Sequence, residues 1–179
     1  NPAGSQLLEL HGGGDLTLIG GSGSGNGNRA VVQGAGVSQS VNWLAGGDLT
    51  LSAGAVGTRH LAQVVMGNSA GTQSLTGATG MTLTAGATGG GSSAGNRALI
   101  SSSGSQSLAV GSGGITLTAG GGTGLETDND AQIFQGGGAG TSQSITVSSG
   151  GGITMTGGSS ALQNVGGSTH GSRALIEGD

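Results

Sequence analysis

The chain has 179 residues, 45 of them Gly; Gly, Ser and Thr together make up close to half, charged residues are 7% and aromatics 1%. Four Arg, no Lys and eight acids leave a net charge of -4, so no basic patch for nucleic acid exists, and Trp43 and Phe134 alone give no base-stacking platform. Absence of Cys excludes disulfides and thiol chemistry, a single Pro excludes collagen, and no run of about 18 apolar residues could span a membrane as a helix.

Such a composition is shared by disordered chains, so a fold has to be argued from periodicity. The first unit, near residues 1–33, carries Ser5-Gln6, then Asp15-Leu16-Thr17-Leu18, then Ala30-Val31-Val32. The second, 34–66, carries Ser38-Gln39-Ser40, Asp48-Leu49-Thr50-Leu51 and Ala62-Gln63-Val64. The third, 67–101, carries Thr72-Gln73-Ser74, Met81-Thr82-Leu83-Thr84 and Ala98-Leu99-Ile100. The fourth, 102–135, carries Ser105-Gln106-Ser107, Ile115-Thr116-Leu117-Thr118 and Ala131-Gln132-Ile133. The fifth, 136–179, carries Ser142-Gln143-Ser144, Ile153-Thr154-Met155-Thr156 and Ala174-Leu175-Ile176. Gln recurs at intervals of 33, 34, 33 and 37 residues.

Each motif alternates apolar and other residues, the period of a strand. Runs of about four to six residues are too short for helices, and each Gly in a helix costs roughly 1 kcal/mol against Ala. One unit is therefore three short strands joined by Gly-bearing corners, and it can bury an apolar face only by stacking on its neighbours. The expected fold is all-β: a single-stranded parallel β-solenoid of about five coils, one domain over 1–179. Its interior is expected to hold five columns: Leu8, Val41, Leu75, Leu108, Ile145; Leu16, Leu49, Met81, Ile115, Ile153; Leu18, Leu51, Leu83, Leu117, Met155; Ala30, Ala62, Ala98, Ala131, Ala174; and Val32, Val64, Ile100, Ile133, Ile176. Trp43 is read as core or as a corner plug. Coil length varies mainly in the loops from Gly20 to Asn28, Ala85 to Asn96, Ala119 to Asn129 and Gly157 to Ser172, expected to project or to lie over the outside; they hold almost no apolar side chains, the main exception being around Leu162 and Val165.

The succession Ser-Gln-Ser-Leu, Gly-Gly-Ile-Thr-Leu-Thr-Ala-Gly and Asn-Arg-Ala-Leu-Ile resembles repeats of the filamentous-haemagglutinin-like exoproteins of Gram-negative bacteria, over essentially the whole chain. The resemblance implies a right-handed β-helix, export, and service as an adhesin or surface fibre. No signal peptide or secretion domain is read here, and the loops lengthen each coil. Both ends lie inside the repeat: joined end to start, the chain has eight residues between Ile176 and Gln6, against 5 to 9 for the same interval inside it. Copies are thus expected to stack head to tail, or the chain to be one stretch of a longer repetitive protein; heterologous contacts that do not close make filaments.

Catalytic chemistry finds no constellation. His11, His60 and His170 fall at different positions of the repeat, and no Ser or Thr has a His–acid partner; no enzyme and no resident cofactor is expected. Glu126, Asp128 and Asp130 form the one acidic cluster, either a hard-cation site, calcium by its oxygen donors, or a solvated loop. Asp130 also aligns with Arg97 and Arg173 of adjacent coils, an alternative charge ladder of exposed pairs worth roughly 0–1 kcal/mol. Gln6, Gln39, Gln73, Gln106 and Gln143 are expected to form a structural amide ladder along the axis. Outward Thr17, Thr50, Thr82, Thr84, Thr116, Thr118, Thr154 and Thr156 would make a two-column array; such Thr-x-Thr arrays on solenoids resemble ice-binding proteins, while Thr is also simply a good strand former. Val31, Leu99 and Leu175, alternating with Gln63 and Gln132, are either a lateral contact between fibres or are covered by a loop. The expected function is structural: a unit of an extracellular filament or exported adhesin, its partner being itself. The second reading is a module binding ice or carbohydrate.

Overall fold

The computed structural model describes residues 4–21, 27–54, 59–86, 95–121, 129–158, 163–165 and 168–179. Glu126, Asp128 and Leu162 lie outside the described residues. Among the described residues every regular element is a strand. The first rung is β1 (Ser5–Leu10), β2 (Leu16–Ile19) and β3 (Arg29–Gly34). The second is β4 (Ser38–Trp43), β5 (Asp48–Ser52) and β6 (Leu61–Met66). The third is β7 (Thr72–Thr84) and β8 (Arg97–Ser102), the fourth β9 (Ser105–Thr118) and β10 (Ala131–Gln135). The fifth is β11 (Gln143–Val147), β12 (Ile153–Thr156) and β15 (Ala174–Gly178), with β13 (Gln163–Val165) and β14 (Ser168–His170) between the last two.

All pairing between rungs is parallel. Five rungs follow one another, about four turns of a β-solenoid. Like residues pair with like: Gln6 with Gln39, Gln39 with Gln73, Gln73 with Gln106 and Gln106 with Gln143. Leu18, Leu51, Leu83, Leu117 and Met155 align likewise, as do Ala30, Ala62, Ala98, Ala131 and Ala174. A one-residue slip would turn every one of these apolar side chains outward, so the buried face pins the register.

The core lies between the ladders. Val41, Leu49, Leu51, Val64, Leu75, Leu83, Ile100, Leu117 and Ile133 are fully buried. Each such side chain contributes about 1.5–3 kcal/mol relative to exposure. Trp43 is buried in the same cluster, with Leu10, Ala78, Val110 and Val147. In the outermost rung Ile153 is 47% and Met155 53% exposed.

Two features depart from three short strands per coil. β7 and β9 run 13 and 14 residues and serve the first and second ladders at once, fusing them into one eight-stranded sheet. Register shifts between Thr76 and Gly80 carry β7 round the corner without breaking it. Gly77 sits there at φ +84°, where a Cβ would meet the Trp43 carbonyl below. The second departure is β13 and β14, an antiparallel hairpin inserted in the last long loop. The corner after the second ladder shows why Gly recurs: Gly54 has φ +80°, and a Cβ on it would strike the carbonyl oxygen of Gly21 one rung away.

Candidate functional site

The Gln side chains point inward from the first ladder. Gln39 Nε2 donates to Gln6 Oε1 at 2.8 Å, Gln73 Nε2 to Gln39 Oε1 at 2.8 Å, Gln106 Nε2 to Gln73 Oε1 at 2.8 Å, and Gln143 Nε2 to Gln106 Oε1 at 2.9 Å. The same amide nitrogens donate sideways to the third ladder: Gln39 to the Val65 carbonyl at 3.1 Å, Gln73 to Ser101 at 3.0 Å, Gln106 to Phe134 at 3.3 Å and Gln143 to Glu177 at 3.2 Å. Gln39, Gln73, Gln106 and Gln143 thus each bind the neighbour along the axis and tie two ladders across the interior, while Gln6 accepts along the axis. Gln39, Gln73 and Gln106 are buried, and a buried amide left unmade would cost about 1–3 kcal/mol.

A second polar column had escaped the sequence reading. Asn28, His60, Asn96, Asn129 and Ser172 each stand two residues before the Ala of the third strand. The His60 backbone N–H donates to Asn96 Oδ1 at 2.9 Å, and that of Asn96 to Asn129 Oδ1 at 2.8 Å. His60, Asn96 and Asn129 are fully buried. The constant offset from Ala was the available signal; the change of residue type to His and Ser hid it.

Next along the strand, Asp130 sits between Arg97 and Arg173. Its Oδ1 accepts the Arg173 backbone N–H at 2.9 Å; its Oδ2 lies 3.3 Å from Arg173 Nη2, 3.1 Å from Gln132 Nε2 and 3.9 Å from Arg97 Nε. The sequence reading placed these charges in exposed pairs. The carboxylate is in fact 1% exposed, while the Arg side chains are 39% and 48% exposed. Flanking coils enclose it because its register position is shared with both arginines. Among the described residues no three metal-ligating side chains cluster.

The two Thr columns are in register: Thr17, Thr50, Thr82, Thr116 and Thr154 form one, and Ile19, Ser52, Thr84, Thr118 and Thr156 the other. All stand on the outer side, and none is buried. In the outward row of the third ladder Val31, Leu99 and Leu175 are half-buried, while Gln63 and Gln132 are buried. Arg29 Nη2 lies 3.5 Å from Gln63 Oε1, and Arg97 Nη2 lies 2.6 Å from Gln132 Oε1. The row is therefore a packed mixture of amide, guanidinium and aliphatic groups, not an open apolar strip.

The histidines are not brought together as a group: His11 is exposed 3.8 Å from Glu9, His60 belongs to the buried polar column, and His170 lies on β14. An open groove of about 400 Å³ at the β7–β9 corner is lined by Ala78, Thr79, Val110, Ser112 and Thr146 among others, none of them ionisable. The arrangement offers repeated hydrogen-bonding and stacking surfaces. No family model, curated protein or solved structure matches the chain.

Proposed function

We propose that this chain is a structural, non-enzymatic unit of an extracellular filament or large exported adhesin, built by rung upon rung of main-chain pairing. The observation that carries the reading is the Gln column, one residue type held in register through five rungs. A rung of this kind presents the next with the same partners it received, so growth along the axis needs no new interface. An edge strand with unpaired N–H and C=O groups is a template for a further strand, whether from a second copy or from a continuation of the chain. Exposed Ile153 and Met155 add apolar area to that edge. The likeness of the repeat motifs to filamentous-haemagglutinin-like exoproteins supports a surface location on a Gram-negative bacterium. Negative-stain microscopy with fibre diffraction is the test. Fibres with a meridional spacing of about 4.8 Å are expected. Discrete particles at high concentration, with slow amide exchange in the first and fifth rungs, would overturn the reading.

A second reading is favoured by the Thr register: two aligned, outward hydroxyl columns could bind ice or carbohydrate. Thermal hysteresis and ice shaping test the first ligand, and a glycan array the second; absence of all three signals removes this reading.

A further inference from the structure

Resting on the carbohydrate reading, we propose that the groove at the corner between the first and second ladders is the binding site, and that its ligand is an uncharged linear polysaccharide lying along the solenoid axis. Charge is segregated in this chain: residues 61–96, 98–125 and 131–169 contain no Asp, Glu, Lys, Arg or His. β7, β9, β11 and β12 lie wholly inside those stretches, so these strands of the eight-stranded sheet present no ionisable group across the third to fifth rungs. The groove lies on that sheet, where β7 shifts register. Three successive rungs line it: Ala78 and Thr79 from the third, Val110 and Ser112 from the fourth, Thr146 and Ser148 from the fifth. Its length therefore follows the axis, over two steps of about 4.8 Å. Buried Ala78 and Val110 supply methyl groups, and exposed Thr79, Ser112, Thr146 and Ser148 supply hydroxyls able to donate and to accept. The Thr79 oxygen accepts the Gly47 backbone N–H at 3.2 Å, which leaves its O–H to donate outward. A charged ligand would give up its hydration here without meeting a counter-charge. A peptide strand would seek unpaired main-chain groups, and β7 and β9 are paired on both sides. A sugar chain offers the matching surface, C–H patches set between hydroxyls. The groove is open at about 400 Å³ and does not enclose a small molecule, so contact has to be gained by length. Thr82, Thr116 and Thr154 continue the hydroxyl surface on the second ladder.

Native electrophoresis in gels cast with a soluble polysaccharide tests this, the net charge of -4 driving migration. At least one of three neutral linear polymers, hydroxyethylcellulose, pullulan and glucomannan, should retard the chain, and anionic polygalacturonate should not. Ser112→Phe and Ser148→Phe place a ring in the groove from exposed positions, and each should restore the mobility seen without polymer. Circular dichroism checks both, and the variant that keeps its β-structure decides. Thr84→Phe, on the outward Thr array and outside the groove lining, should leave retardation intact. Retardation kept by the groove variants and lost in Thr84→Phe overturns the groove while leaving carbohydrate binding standing. Loss in all three variants overturns its confinement to the groove. Retardation by polygalacturonate and by no neutral polymer overturns the uncharged ligand. Retardation by none of the four overturns the site and the carbohydrate reading together.

Discussion

Gln73 Nε2 lies 2.8 Å from Gln39 Oε1 and 3.0 Å from the Ser101 carbonyl, so one buried nitrogen joins two rungs and two ladders. Its own oxygen accepts from Gln106 at 2.8 Å. Gln73→Ala removes these bonds and a 3.4 Å one to the Val64 carbonyl, orphans the buried Gln39 oxygen and leaves the Gln106 nitrogen with Phe134 alone. The expected loss is about 2–4 kcal/mol, read as faster amide exchange in the third and fourth rungs. Gln143→Ala, at the half-buried outer rung, should cost less than half as much. Equal effects at the two positions would show that the ladder acts without regard to burial.

Asp130 is enclosed while its arginines reach solvent. Asp130→Asn keeps a carbonyl oxygen for the Arg173 backbone N–H but removes the charge shared by Arg97 and Arg173. Destabilisation of about 1–2 kcal/mol is expected, since solvent screens the exposed half of each pair. Raising salt should narrow the gap between the variant and the parent in urea titrations; a gap indifferent to salt would remove the ionic explanation.

Glycine is required at some corners and incidental at others. Gly54→Ala combines a left-handed φ with a collision against the Gly21 carbonyl, and should cost well over 1 kcal/mol. Gly138→Ala meets nothing within 4 Å and has no positive φ, so it should be neutral or stabilise by up to about 1 kcal/mol. Thermal melts of the two variants should fall on opposite sides of the parent or leave the second unmoved.

The apolar columns grade from centre to edge. Leu51→Ala empties a fully buried site and should cost about 2–5 kcal/mol. Met155→Ala removes a half-exposed side chain and should cost under about 1 kcal/mol in the monomer. In assembled material the second cost should rise toward the first, because stacking would bury Met155; an unchanged cost would place that edge outside the contact.

End-to-end stacking would bring Arg173 beneath Arg29, members of one register column, and each copy carries a net charge of -4. Both effects repel. Association should therefore strengthen as salt rises from about 10 to 150 mM, where the Debye length falls to about 8 Å. Light scattering that decreases over this range would point to attractive ionic contacts instead.

Pairing was legible because the repeat writes its main columns in one chemistry. Gln6 through Gln143 and Leu18 through Met155 could be aligned by spacing alone. The Asn28–Ser172 column was less legible, since His60 and Ser172 disguise a position that three Asn residues otherwise mark. The continuity of β7 and β9 was hidden for another reason. The sequence points to short strands separated by Gly-bearing corners, whereas β7 runs through Gly77 and Gly80 by shifting its register there.

Chain chemistry by itself determined the strand period, the order of the three ladders and the matching of rung to rung, because a short-range alternation repeated every 33 to 37 residues admits one register that buries its apolar face. Tertiary structure decided that the Gln row faces the interior and spans it to the third ladder, that Asp130 is enclosed between arginines, and that a hairpin interrupts the last coil. These depend on how far apart non-repeating atoms come to lie once the cross-section closes, and a periodic sequence carries no record of that distance.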